Sequence, residues 1–99
     1  MDIQPCESLD EVRAQIDRLD RSIVELLAER GQYVRQAARF KKMSADVHAP
    51  KRVEQVIARV RALADEFGGD ADVVERVYRA MIAAFTDAEL VEHKNLRNQ

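Results

Sequence analysis

From Leu9 to Phe40 one stripe dominates the chain: Leu9, Val12, Ile16, Leu19, Ile23, Leu26, Arg30, Tyr33, Ala37 and Phe40 follow one another in alternating steps of three and four. Only an α-helix returns such positions to a single side, because it turns about 100° per residue. Ser8 and Glu11 frame the start as a capping box, with the Ser8 hydroxyl accepting from the Glu11 amide and the Glu11 carboxylate reaching back. At about 1.5 Å per residue a helix from Leu9 to Lys41 is roughly 50 Å long, whereas a compact domain of this size has a radius of gyration near ~13 Å. Such a helix overhangs its own fold. Its apolar stripe calls for more cover than the remaining residues supply, and a second copy of the chain is the simplest source.

Two breaks follow. Met43-Ser44-Ala45-Asp46 carries no helical stripe, so residues 43–49 are expected to be a loop, and Pro50 suits the first turn of a second helix. Val53, Val56, Ile57, Val60, Leu63 and Phe67 line one face of that helix, and Gly68-Gly69 can adopt the left-handed turn that ends it. Asp70 or Asp72 then caps a third helix striped by Val74, Val77, Tyr78, Met81, Ile82, Phe85 and Ala88, with the tail from His93 to Gln99 expected to fray. With 46% hydrophobic residues, three glycines, two prolines and no internal repeat, the chain reads as one all-α domain over residues 1–99. We expect helix one at about 8–42, helix two at about 50–67 and helix three at about 71–94, in an intertwined homodimer built on the long helix.

Charge excludes several functions. Sixteen basic against eighteen acidic side chains leave −2, no footprint for nucleic acid or an anionic membrane. The single Cys6 closes no intrachain disulfide, and the N-terminal residues show neither the basic nor the apolar region of an export signal; a cytoplasmic protein is expected. No Ser-His-Asp or Cys-His set, glycine-rich phosphate loop or metal-binding spacing is present, so no cofactor is expected and any chemistry must be electrostatic and steric.

The positions that carry information are those where a charge interrupts an apolar stripe. Arg30 stands between Ile23 and Ala37 on the seam, and Lys41, eleven residues on, lies within about 20° of the same face. Glu89 holds the same position on helix three, four residues after Phe85. Arg52 lies in the first turn of helix two, where the helix dipole already offers positive potential. Each has an ordinary reading: for Arg30 and Lys41 a stem lying along the core with its head in water, for Glu89 a partly exposed carboxylate near a frayed helix end, and for Arg52 a solvated side chain. Together they outline a positive pocket inside a helical core, suited to a small anion. His48, His93 and Met43 are read as solvated or filler residues.

Three segments extend the argument. Val12-Arg13-Ala14-Gln15-Ile16-Asp17-Arg18-Leu19-Asp20, Leu26-Leu27-Ala28-Glu29-Arg30 and Phe40-Lys41 resemble, in content and spacing, the first helix of the all-helical chorismate mutases and the related isochorismate pyruvate lyases. The resemblance implies a dimer of three-helix chains whose active site takes one arginine from the other subunit, at the position of Arg13. Helix geometry fits this, since Arg13 and Arg30 are about 25 Å apart along the axis and about 260° apart around it. Arg13 of the other subunit and Arg30 would clamp the two carboxylates of a dianionic substrate, with Arg52 assisting, and Lys41 would donate to the ether oxygen.

Glu89 falls where many bacterial members carry glutamine, a second donor to that oxygen, although some eukaryotic members carry glutamate. An ionised Glu89 would repel the developing oxyanion and a protonated one would donate, so activity is expected to fall as pH rises and Glu89→Gln to flatten the fall. Ala49-Pro50-Lys51-Arg52-Val53 lacks the acidic residues that typical mutases place there for the substrate hydroxyl, and looks more like the lyase branch. The first expectation is rearrangement of chorismate to prephenate; the second is elimination of pyruvate from isochorismate. A third is a non-catalytic dimerisation module whose inward charges set register.

Overall fold

The computed structural model describes residues 1–97, with side chains described except at positions 44, 45 and 97. Its elements are α1 (Leu9–Arg39), a 3-10 turn (Ser44–Val47), α2 (Pro50–Glu66) and α3 (Ala71–Arg97). No strand occurs among the described residues, and the chain is all-α as expected.

The helix ends follow local chemistry. The Glu11 amide donates to Ser8 Oγ at 3.1 Å, but the Glu11 carboxylate reaches one residue further than a strict capping box, accepting from the Glu7 amide at 2.7 Å. Gly68, at φ 74, ends α2: its amide donates to the Asp65 carbonyl at 3.2 Å and that of Gly69 to the Ala64 carbonyl at 2.7 Å, the paired bonds of a Schellman turn. Asp70, rather than Asp72, caps α3, its Oδ1 accepting from the amides of Asp72 and Val73 at 2.9 and 3.2 Å.

Four boundaries differ from the sequence expectation. α1 stops at Arg39 rather than near 42, because the amides of Phe40 and Lys41 bond three residues back, to Ala37 and Ala38, and tighten the last turn. α2 stops at Glu66, one residue short of 67. The expected loop over 43–49 contains a 3-10 turn, closed where Asp46 accepts from the Met43 amide at 3.1 Å. α3 runs to Arg97 instead of fraying from His93; the expectation for residues 98 and 99 lies outside the described residues.

Contacts divide the chain into two compact units, Met1–Tyr33 and a second beginning at Val34. In the first, the α1 stripe of Leu9, Val12, Ile16, Leu19 and Ile23 is open to solvent. In the second, α2 packs on α3 and the 3-10 turn also lies against α3, burying Val47, Val56, Ile57, Val60 and Ala64. Each buried branched side chain there contributes about 1.5–3 kcal/mol. Phe67 leaves the stripe and is exposed, since it is the cap residue beyond the last helical turn; Val77 and Ala88 are exposed too, on the flank of α3.

Across the exposed edge of α2 and α3 runs an ionic ladder. Arg61 Nη1 lies 2.9 Å from both Asp72 and Glu75, and Arg79 meets Glu75 at 2.7 Å and Glu54 at 3.0 Å. Hydrogen bonds from Arg79 hold the carboxyls of Glu54 and Glu75 below their ordinary range, and the same acids raise Arg79.

Candidate functional site

Because α1 has already ended, Lys41 lies just beyond the helix, in the turn that closes it, rather than on the helix face that its spacing suggested. Its neighbours nevertheless include the expected acid. Lys41 Nζ donates to Glu89 Oε1 at 2.7 Å and to Oε2 at 2.8 Å. The Glu89 side chain is 6% exposed and that of Lys41 25%. A carboxylate this deep is retained only with a partner, and a charge-assisted pair of this length is a strong one.

One turn further along α3, His93 Nε2 lies 2.7 Å from the Lys41 carbonyl oxygen. A carbonyl can only accept, so Nε2 carries the proton and donates. His93 is 2% exposed. The expectation of a solvated His93 is therefore corrected: α3 continues past it, and the side chain turns inward onto the segment leaving α1. Residues four apart share a helix face, so Glu89 and His93 hold Lys41 from the same side, one at the ammonium and one at the backbone. That periodicity was the available sequence signal, since His93 follows Glu89 on the apolar side as Glu89 follows Phe85.

An ammonium has three N–H groups. Two point at Glu89, which leaves one for an incoming acceptor. Lys41 and Glu89 together carry no net charge, however, and a dianionic guest would need further cations. Arg52 is exposed in the first turn of α2, which begins after Ala49 at φ 33. Arg30 is half-buried and Arg13 exposed, both on α1 within Met1–Tyr33. Of the five expected residues, the structure brings Lys41 and Glu89 into contact. Among the described residues, no group of three His, Cys, Asp or Glu side chains is placed to hold a metal ion.

Comparison with known proteins bears on these positions. Residues 12–90 match the sequence pattern described as chorismate mutase type II. The chain is 38% identical over 79 residues to an isochorismate pyruvate lyase of Pseudomonas aeruginosa, covering 80% of this chain and 78% of the relative. It is 29% identical over 77 residues to a chorismate mutase of Methanocaldococcus jannaschii, covering 77% and 78%. It is also 31% identical over 87 residues to a bifunctional chorismate mutase/prephenate dehydratase of Aquifex aeolicus, where it covers 84% of this chain but 24% of the relative. The matched span reaches from Val12, beside Arg13, to Leu90, beside Glu89, and the chain belongs to the chorismate mutase type II family.

Proposed function

We propose that this protein converts chorismate to prephenate by an intramolecular rearrangement, with Lys41 as the catalytic donor. The observation that carries the reading is the buried Lys41–Glu89 pair, which among the described residues leaves one ammonium N–H for a guest in a chain of this family. As the ether C–O bond breaks and a C–C bond forms, negative charge grows on the ether oxygen. A donor aimed there binds the transition state more tightly than the substrate. No proton leaves and no covalent intermediate forms, so the protein's task is placement and charge.

Glu89 acts on the reacting region through Lys41, whose ammonium it holds. Arg30 and Arg52 bind the carboxylates, and the remaining cation is Arg13 of the partner subunit. The dimer reading rests on the open α1 stripe and on the roughly 25 Å that separates Arg13 from Arg30 along one helix. Three guanidinium groups then face a dianion, while Lys41 stays neutralised by Glu89 until the reaction draws on it. A cytoplasmic site of action accords with the unpaired Cys6 thiol.

A second reading has its own support. The Ala49-Pro50-Lys51-Arg52-Val53 segment and the 38% identity to an isochorismate pyruvate lyase favour elimination of pyruvate from isochorismate, with salicylate as the other product. The same donor and clamp serve both reactions. Incubation of the purified protein with each substrate separates them: prephenate from chorismate supports the first reading, and salicylate with pyruvate from isochorismate supports the second. Inertness toward both points to a non-catalytic dimerisation module. Ile16→Lys on the α1 stripe tests the assembly, with an expected shift to monomer in sedimentation and loss of turnover; an active monomer overturns the shared site.

A further inference from the structure

The lysine proposed as donor sits on no regular element, since α1 ends at Arg39 and Lys41 is followed by a bend. A flexible four-carbon side chain on irregular backbone is a poor way to aim an ammonium, because both the backbone and the stem must be held. Glu89 holds the ammonium at 2.7 and 2.8 Å. The backbone is held from elsewhere: His93 Nε2 lies 2.7 Å from the Lys41 carbonyl, and at 2% exposed it is the most deeply buried polar residue among the described residues, ahead of Glu89 at 5%. An imidazole is costly to bury when its only service is to fill space, and Leu or Phe would fill it better.

We propose that His93 is a positioning residue for Lys41: its Nε2–H fixes the Lys41 carbonyl and so sets where the ammonium points when the guest is bound. The inference rests on the function proposed above, in which Lys41 is the donor. His93 does not touch the guest. It acts on the turnover step, because an error of about 1 Å at a reacting group costs roughly 10²-fold in rate, whereas the arginines that hold the carboxylates are elsewhere and keep the affinity.

The test uses two substitutions at one site. His93→Leu removes the donor and keeps an apolar side chain. His93→Gln restores a donor, since its amide nitrogen is the same number of bonds from Cα as Nε2. For His93→Leu we expect kcat to fall roughly 10- to 100-fold with KM within about twofold, and the Lys41 carbonyl carbon-13 resonance to move upfield as its hydrogen bond is lost. For His93→Gln most of kcat and the resonance position should return.

A packing role would instead spare Leu and penalise the polar Gln. Wild-type kcat in His93→Leu, or a fall that Gln leaves unrescued in a protein with wild-type helicity, overturns the inference while the activity of the wild type and the inactivity of Lys41→Met still support the proposed reaction. A wild-type protein inert toward both substrates overturns the proposed reaction and the inference with it.

Discussion

Helix α3 carries ionic contacts at both ends, and they are built on opposite plans. Between Asp72 and Arg79 the contacts are exposed and redundant: Arg61 has two acidic partners and Glu75 two basic ones. Around Lys41 they are buried and converge on one residue, the Glu89 carboxylate at its ammonium and the His93 imidazole at its carbonyl, while the neighbouring Glu92 meets Arg35 at 3.8 Å nearer the surface. Exposed ladders contribute modestly and tolerate the loss of a member, because water replaces what is lost. A buried pair is rarely the most stable filling for its space, and it persists where its charge is used. The first region ties α2 to α3 at the surface; the second holds the ammonium proposed as the donor.

The sharpest way to break this contrast is to remove the singular cation without stranding its partner. Lys41→Met combined with Glu89→Gln is expected to lower kcat by about 10²–10³-fold, the usual cost of one donor to a developing oxyanion, while far-UV circular dichroism remains that of the wild type. Retention of kcat within tenfold would mean that the buried pair is structural and that the two ends of α3 differ only in exposure.

Stability gives the next effect. Lys41→Ala alone leaves the Glu89 carboxylate, 6% exposed, without its cation. We expect a loss of about 2–3 kcal/mol in urea unfolding, below the range for fully buried pairs because Lys41 borders solvent, and recovery of most of it when Glu89→Gln is added. Equal stability of the single and double variants would place Glu89 in contact with water and remove the distinction between the two regions.

The exposed end was the less legible of the two in sequence, and the buried end only partly legible. A charge on an apolar face is visible in a linear pattern, which is how Lys41 and Glu89 were both singled out. Caps were equally visible at Ser8 and Gly68, since their chemistry is local, and that of α3 was narrowed to Asp70 or Asp72. The end of α1 was not, because Phe40-Lys41-Lys42-Met43 contains no glycine or proline and the period simply runs on. Nor was the role of His93, whose partner is a backbone carbonyl 52 positions away. The ladder between Glu54 and Arg79 joins residues 25 positions apart on the polar faces of two helices, where no pattern distinguishes a paired charge from a solvated one.

Removing a ladder member should have the smaller effect, and pH reveals it. Arg79→Ala is expected to leave kcat unchanged and to lower the melting temperature slightly at neutral pH, as surface pairs do. The hydrogen bonds from Arg79 depress the carboxyls of Glu54 and Glu75 below the ordinary value of 4.5. A carboxyl depressed in the folded state binds its proton more readily in the unfolded chain, so its contribution is present above the unfolded value and is lost as pH falls through the folded one. The difference in melting temperature between wild type and Arg79→Ala should therefore be steady near neutrality, shrink as the pH is taken below about 4.5, and shrink likewise at pH 7 when salt is raised to about 1 M. The Lys41–Glu89 pair is shielded from bulk ions by its burial, so the stability difference between wild type and Lys41→Ala should barely respond to the same salt. If both differences collapse together in salt, the two ends of α3 are equally wet; if neither responds, the ladder is held by packing of the arginine stems rather than by charge.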